Sequence, residues 1–320
     1  MRTRVLAAAG AAVLVVALSG CVTVHGEKAV VTAVSEAEAA RTLKEFVEVG
    51  NRADRDHDAE LSRGVERGAL GAVDAARLEA HRAVSPEGDP DHRPLVLSDT
   101  RFHIPAQAGW PKFFLVDAES SDTDEGRLML AFARDGVEEK WRAAYLGVLP
   151  EEEIPEFATD EEGRVQPVVG GEDLLLPPEE LSESYTRYLQ DGEGDDFAEG
   201  VRTTERRETR AESANRPAAR NEWADMPADP ERYPPMGLYA RDGSALVFFA
   251  SHHHTKQTVA EGYRPVVRPL VRPLLKGEAE RTLTQVFLAQ QAVRVPPVDA
   301  DGDRVRFLDQ QNGLIEARGG

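Results

Sequence analysis

The sequence predicts an α+β protein built from two consecutive similar units, each with helices packed on one face of a curved, cone-like antiparallel sheet. Three observations predict this class. A capped amphipathic helix begins at Ser35, the hydrophobic period changes from helical to strand-like after residue 94, and the second half repeats this order of elements. Because segments 112–120 and 245–251 occupy comparable positions, we expect an internal duplication.

The N-terminal segment has the pattern of a cleaved secretion signal. Arg2 and Arg4 precede an apolar run from Val5 to Ala17. This run is too short to cross about 30 Å of hydrocarbon as a helix, so it does not predict a membrane span. We therefore assign residues 1–20 to a signal peptide.

The apolar run ends in a tetrapeptide that marks a lipidation site. Leu18, Ser19 and Gly20 precede Cys21, which is the one cysteine of the sequence. This order resembles the lipobox of bacterial lipoproteins, in which signal peptidase recognises the first three residues and the cysteine thiol takes a diacylglycerol. We expect Cys21 to anchor the protein at the extracytoplasmic face of the cell membrane, with residues 21–34 as a lipidated tether.

Composition excludes several classes of protein. The formal net charge is −19, and cleavage of Arg2 and Arg4 with the signal makes it −21, which disfavours nucleic acid as a partner. A single cysteine excludes an intramolecular disulfide framework and a zinc site built from several thiolates. Stability must therefore come from packing.

The first predicted domain covers residues 35–150. Ser35 and Glu38 form a capping-box signature, and Leu43 and Phe46 then follow at helical spacing. A second helical stretch spans 58–83, broken near one of its glycines at 68 and 71. Strand-like runs follow at 95–103, 112–118, 127–133 and 137–149, with a hairpin turn at 135–136.

An acidic stretch punctuated by proline and glycine, residues 151–178, predicts a linker to a second domain at 179–320. That domain begins with a helix at 181–189, with Tyr185 and Tyr188 facing inward, and a charged, helix-compatible stretch at 197–215. Strand-like runs lie at 236–240, 245–251, 282–295, 305–308 and 314–317, with turns at 242–243 and 312–313. Segment 278–293 also has helical spacing, so a helix stays open there.

Candidate ligand-binding residues are few. Of the three consecutive histidines, only His252 and His254 share one strand face, and we favour a polar strand end over a metal site. The segment 299–303 imitates a calcium loop but lacks the later glycine and glutamate, which favours a solvated turn. Trp141 alternates with Ala143 and Tyr145, which predicts one core-facing strand face.

The remaining aromatic and acidic candidates leave the function open. Trp110, in a predicted turn, and Trp223, in a loop-like stretch, suit ligand stacking and ordinary packing about equally. The acidic clusters at 151–153, 160–162 and 195–196 are expected to be solvated. The sequence contains no GxSxG, GxGxxG, Walker-loop or SxxK motif, so it does not indicate a hydrolase, kinase or nucleotide-binding protein.

Several segments together resemble an uncharacterised family of actinobacterial secreted lipoproteins with a domain of unknown function. They are residues 24–31, Asn51, 58–61, 65–70, Trp110-Pro111 and Phe113-Phe114. The resemblance covers most of the mature chain and implies no activity, cofactor or catalytic residue. The order of helices before a curved sheet is also similar to nuclear-transport-factor-2-like and ketosteroid-isomerase-like cone folds, which is an analogy of fold alone.

Two functions follow as expectations. The first is a non-enzymatic binding or interaction module, anchored to the membrane, that binds an envelope protein, a cell-wall component or a small ligand and needs no cofactor or metal. The alternative is an enzyme that processes a small molecule in a cone-shaped apolar pocket with a carboxylate as acid or base. A transporter-linked solute-binding protein would need alternating strand and helix units, which the pattern lacks.

Overall fold

The computed structural model describes residues 30–320. The predicted recognition residues Leu18, Ser19 and Gly20, the predicted lipidation site Cys21 and most of the predicted tether lie outside the described residues. Within residues 30–320 the chain is α+β, with helices and antiparallel sheets as the sequence predicts.

The helices fall in the predicted regions. They are α1 (Glu36–Asp56), α2 (Ala59–Val65), α3 (Gly68–Val84), α4 (Leu181–Asp191) and α5 (Thr204–Ser213), with short 3₁₀ turns at Glu151–Glu153, Pro178–Glu180 and Arg272–Leu274. The stretch predicted at 58–83 breaks just before Gly68. That glycine has a φ of 57°, a left-handed conformation that glycine adopts without a steric penalty.

The first helix shows half of the predicted capping box. The Ser35 hydroxyl accepts a hydrogen bond from the Glu38 amide at 3.2 Å, which satisfies one of the free N–H groups at the helix start. The Glu38 carboxylate does not return to the cap. Instead it accepts a hydrogen bond from the Trp141 indole nitrogen at 2.9 Å, and so ties α1 to the sheet beneath it.

The strands form one small and two large sheets. β1 (Val30–Thr32) pairs with β3 (Ala106–Ala108). β2 (Leu97–His103), β4 (Lys112–Ser120), β5 (Thr123–Arg134) and β6 (Arg142–Leu149) form a four-stranded sheet in the order β2-β4-β5-β6. The seven-stranded sheet, in the order β11-β13-β12-β10-β8-β7 with β9 paired to β10, contains β7 (Asn215–Arg216), β8 (Ala219–Pro227), β9 (Met236–Tyr239), β10 (Ala245–Val259), β11 (Leu275–Lys276), β12 (Thr282–Val295) and β13 (Arg306–Gly319).

The two large sheets pack face to face and share one core. On β4, Phe113 and Leu115 face the second sheet, while Phe114 and Val116 face α1 and α3. On β10 the alternation is the same, because Phe248 belongs to the shared core while its neighbours face α4. The two sheets therefore form the middle of the protein, with α1 on the outer face of the first sheet and α4 on the outer face of the second. Burial on both faces explains why these two strands are continuous apolar runs in the sequence.

Polar side chains also join the two sheets. β6 lies at the edge of the four-stranded sheet, so part of its backbone has no strand partner. The Leu146 amide donates to the Gln290 side chain at 2.9 Å, and the Val148 amide donates to the Asp309 carboxylate at 2.8 Å. Both acceptors come from the second sheet, which therefore covers this edge.

The last strands differ from the sequence prediction in detail. Residues 312–313, predicted as a turn, lie inside β13, where Gly313 pairs with Leu288 of β12. For segment 278–293 the sequence left a helix as an alternative. In the structure, residues 278–281 are irregular and β12 begins at Thr282. Trp223, predicted in a loop-like stretch, lies on β8. The charged and polar residues of β8 hide its strand pattern.

One predicted strand face is wrong for a physical reason. Trp141, Ala143 and Tyr145 do not share a face, because the pairing of β5 with β6 shifts where Phe132 meets Ala143 and Ala131 meets Tyr145. The shift leaves one extra residue on β6, which turns Tyr145 into the core between the sheets while Trp141 and Ala143 stay on the helix side.

The two halves do not show the expected repetition of one unit. Their sheets differ in strand number and in strand order. The segment predicted as a linker packs into the interior, since Phe157 lies in the shared core and Leu174 and Leu176 lie under α4. The division into domains at 35–150 and 179–320 stays a prediction.

Candidate functional site

A large cavity lies beside α3, on the part of the seven-stranded sheet nearest the 266–274 loop. Its volume is about 1080 Å³, which suits a small organic ligand. The side chains that line it come from α3, β8, β10, β12, β13 and the loop: Val73, Arg77, Ala80, His81, Asn221, Thr255, Gln257, Val266, Arg268, Pro269, Leu270, Val271, Leu274, Leu283, Gln285, Phe287, Asn312, Gly313 and Leu314.

Paired residues on neighbouring strands of the sheet form the floor of this cavity. Thr255 pairs with Gln285, and Gln257 pairs with Leu283, across β10 and β12. A second row of apolar groups, including Phe287 and Leu314, continues the surface toward β13. The floor thus combines apolar area with neutral hydrogen-bonding groups, as ligand pockets generally do.

The ionisable residues of the lining are all basic. Arg77, Arg268 and His81 line the cavity, and no Asp or Glu does. Arg77 already bonds Asp54 at 2.5 Å and Asp74 at 3.0 Å. Burial and the neighbouring charge of Arg77 lower the pKa of His81, so its ring is neutral near pH 7.

Sequence reasoning missed this cavity, although its loop carries a signal. Three Arg-Pro pairs recur every four residues at Arg264, Arg268 and Arg272. Prolines at this spacing prevent a regular helix or a central strand, and the intervening residues are apolar. The sequence therefore contains an unusual segment, in which arginine, proline and apolar residues follow one another in an otherwise acidic chain.

A second candidate is a buried polar network beneath α4 and α5. His253 on β10 stands opposite Asp225 on β8, with its Nδ1 at 2.5 Å from the carboxylate. Arg210 from α5 binds the same carboxylate through two nitrogens, at 2.6 Å and 2.8 Å. At the other end, the Ser251 hydroxyl lies 2.9 Å from His253 Nε2 and accepts a hydrogen bond from Gln291 at 2.6 Å.

The protonation states of this network follow from its burial. Burial and the nearby charges of Arg206 and Arg210 lower the pKa of His253 to about 4, even though the hydrogen bond to Asp225 opposes that shift. Burial alone would raise the pKa of Asp225, but hydrogen bonds from His253 and Arg210 prevail and lower it to about 2. At neutral pH the carboxylate is therefore charged and the imidazole neutral.

Ser251, His253 and Asp225 are connected in the order of a hydrolase triad, but a substrate cannot reach the serine. Ser251 is 0% exposed. A smaller cavity of about 330 Å³ touches Asp225 and Arg210, which are the end of the network remote from the serine. A substrate in that cavity would meet the carboxylate and not the hydroxyl, so this geometry ties strands and helix together rather than presenting a nucleophile.

A similar network lies on the first sheet. Asp117 is buried and binds His103 at 2.7 Å, and it also accepts a hydrogen bond from Arg127, which bonds Asp99 at 2.8 Å. Burial raises the pKa of Asp117, but the hydrogen bonds from His103 and Arg127 outweigh it and lower the pKa below its usual range. Neither Asp117 nor His103 lines the large cavity.

The pKa of one buried carboxyl group is shifted in the opposite direction. Glu66 lies between α2 and α3 and accepts a hydrogen bond from the Ser62 hydroxyl at 2.6 Å. Burial, together with the negative charge of Asp74, raises the pKa of Glu66 well above its usual range. Glu66 also lies outside the cavity lining.

The histidines singled out in the sequence do not meet at one site. His252 and His254 face the opposite side of β10 from His253, and burial lowers the pKa of both. Within residues 30–320 no group of three or more His, Cys, Asp or Glu side chains is arranged to hold a metal ion. Residues 299–303 form the loop between β12 and β13, which is largely exposed.

The three tryptophans also lie at different places in the structure. Trp141 is buried against Phe114, with ring centroids 5.0 Å apart. Trp110 is 41% exposed, with Arg134 over its ring at 5.2 Å. Trp223 lies beside Arg210 at the small cavity.

In the described part of the chain, no helix is both long and apolar enough to span a bilayer.

Comparisons with known proteins identify the family. The model of a domain of unknown function, DUF8094, matches residues 30–319. An uncharacterised lipoprotein of Streptomyces coelicolor is 42% identical over 316 residues, which cover 98% of this chain and 94% of the relative. An uncharacterised lipoprotein of Streptomyces avermitilis is 38% identical, with 98% and 95% covered. No solved structure matches the chain. The chain therefore belongs to the DUF8094 family of actinobacterial lipoproteins, whose function is uncharacterised.

Proposed function

We propose that this protein is a lipid-anchored, non-enzymatic binding protein of the cell envelope that holds a small ligand in the cavity beside α3. The observation that carries the proposal is the cavity itself, with its volume of about 1080 Å³ and its lining of apolar, neutral polar and basic side chains. The relatives named lipoproteins support the anchor, and the tetrapeptide ending at Cys21 supports its position.

Placement of the carboxylates supports binding over catalysis. An enzyme that uses a carboxylate as acid or base needs that group within hydrogen-bond reach of a substrate. The three buried carboxylates discussed above, Asp117, Asp225 and Glu66, all lie outside the lining of the large cavity. Among residues 30–320, no Asp or Glu side chain lines the cavity where a ligand of this size would lie, so the carboxylate that the enzyme alternative needs does not lie there.

The anchor is tested by comparing the wild-type chain with Cys21→Ala in a host that processes lipoproteins. We expect the wild type in the membrane fraction with a diacylglycerol mass on Cys21, and the variant in the soluble fraction with no such mass. Cys21 is the natural target because the chain has no other thiol. A wild-type chain that is released without lipid would reject the anchor.

The cavity is tested with N-phenylnaphthylamine, an uncharged apolar dye that fluoresces on leaving water. We expect saturable binding to the wild type and a clear loss with Leu270→Asp, which places a charge on the cavity wall. Leu270 is 41% exposed, so this change should not unfold the protein. Val298→Asp is the matched control, because Val298 is exposed at 61% and lies outside this lining. Absence of binding to the wild type, or equal binding by both variants, would reject the cavity as the site.

A further inference from the structure

We infer that the cavity takes an anionic amphiphile, which is a ligand with an apolar body and one carboxylate, phosphate or sulfonate group. This inference rests on the ligand-binding function proposed above and names the chemical class of the ligand. It is carried by the distribution of charge around the cavity, by one arginine without a partner, and by the apolar groups that this arginine adjoins.

The local charge reverses that of the whole protein. The sequence has 57 acidic against 38 basic side chains. The segment 262–277, whose middle part lines the cavity, instead carries Arg264, Arg268, Arg272 and Lys276 and no acidic residue. A concave site lined by one sign of charge attracts the opposite sign, and a protein that is acidic elsewhere directs an anion to this region.

Arg268 is the cation of this loop that is free to bind an anion inside the cavity. Arg264 lies 4.0 Å from Glu280, and Lys276 lies 2.5 Å from Glu316. Among residues 30–320, no carboxylate oxygen lies within 4 Å of the Arg268 guanidinium, and Arg268 lines the cavity. A guanidinium matches the geometry of carboxylate, phosphate and sulfonate oxygens.

Apolar side chains flank that arginine on both sides. Val266 is 82% exposed and Leu270 is 41% exposed, and both line the cavity. Leu283 and Phe287 continue the apolar surface on β12. Covering this surface releases water, so an anion that carries an apolar body gains more from the site than a small inorganic ion does.

Proline holds the basic wall in one shape. Pro265, Pro269 and Pro273 each follow one of the three arginines, and each ring fixes its own backbone φ. Pro269 itself lines the cavity. A wall that is already restricted loses less conformational entropy when a ligand binds, which favours affinity.

The inference is tested with two dyes of one aromatic skeleton, anilinonaphthalene sulfonate and uncharged N-phenylnaphthylamine. We expect the sulfonate to bind the wild-type protein more tightly, and Arg268→Gln to weaken the sulfonate about fivefold while leaving the uncharged dye unchanged. Arg272→Gln is the matched control. It removes an equal charge from the same loop at a side chain outside the cavity lining. Its effect should be smaller than that of Arg268→Gln.

The outcomes separate this inference from the proposed function. Equal binding of the two dyes, or equal effects of the two arginine variants, overturns the anionic class and leaves the cavity as a binding site. Binding of neither dye overturns both. Native mass spectrometry after incubation with dodecanoate, or with phosphatidylglycerol vesicles, then distinguishes a free carboxylate from a lipid headgroup as the source of the anion. Either adduct supports the inference, and the absence of both contradicts it.

Discussion

His253 and Asp225 are direct cross-strand partners on β10 and β8, and the imidazole Nδ1 lies 2.5 Å from the carboxylate. Arg210 holds the same carboxylate from α5. One buried group therefore connects two strands and a helix. The side chains of Arg210 and Asp225 are 13% and 1% exposed, so water gives this ion pair little screening, and loss of the pair should cost more than loss of a surface pair.

Replacing Asp225 by asparagine should destabilise the fold strongly. The amide has nearly the same shape but no charge, so Arg210 would keep a buried positive charge without its partner. We expect Asp225→Asn to lower the free energy of unfolding by about 3 kcal/mol, as measured by urea denaturation followed by circular dichroism. Asp301→Asn, on an exposed loop, should change it by about 0.5 kcal/mol or less. Equal effects of the two substitutions would mean that the network contributes nothing specific.

Stability should fall in mild acid because His253 is buried in its neutral form. Its pKa is about 4 in the folded protein, against 6.5 for an ordinary histidine. As the pH falls through that interval, the unfolded chain takes up a proton that the folded chain excludes, and unfolding is favoured. We expect this group alone to cost about 2 kcal/mol between about pH 7.5 and about pH 5.

The contribution of His253 is isolated by comparison with His253→Gln, since glutamine does not titrate. His252 and His254 have lowered pKa values too, and they add a loss of the same sign in both proteins. The difference between the two pH profiles of unfolding free energy is therefore the measurement. Parallel profiles across this interval would show that His253 is protonated in the folded state as readily as in the unfolded state.

The inter-sheet hydrogen bond of Gln290 should be worth more than an ordinary surface contact. Gln290 is buried, and its side-chain oxygen accepts from the Leu146 amide at the edge of the first sheet. Gln290→Leu leaves that amide without an acceptor, so we expect a loss of about 1–3 kcal/mol in unfolding free energy and faster hydrogen exchange at Leu146. Gln285→Leu, at a half-buried position on the same strand, is the control. Unchanged exchange at Leu146 would contradict the role of this bond.

The sequence allowed the elements to be predicted more fully than their assembly. The start of α1 was visible because the Ser35 cap acts within four residues, and β4 and β10 were visible as apolar runs. Asp225 was not, because it lies 28 residues from His253 and only the register of β8 against β10 brings them together. Local patterns identify local hydrogen bonds, whereas a network between elements depends on a register that no single segment specifies.

The interior of β13 shows the same limit in one residue. The Asn312-Gly313 pair is a strong turn signal, yet both residues are paired in the strand. Gly313 is needed there because of a neighbour: a Cβ atom added at this position would overlap the Val73 side chain of α3. The glycine therefore permits close approach of a helix to the sheet, which is the other common reason for glycine in a strand.

Gly313→Ala should accordingly lower the free energy of unfolding by about 1–3 kcal/mol, because α3 must move away from β13. Adding Val73→Ala makes room for the new methyl group, so the double variant should be more stable than Gly313→Ala alone, although Val73→Ala by itself removes packing. Gly64→Ala is the matched control, since nothing lies within 4 Å of its added Cβ on helix α2, and it should stabilise the protein by up to about 1 kcal/mol. If the free-energy changes of Gly313→Ala and Val73→Ala simply add, then position 313 and the Val73 side chain do not interact directly.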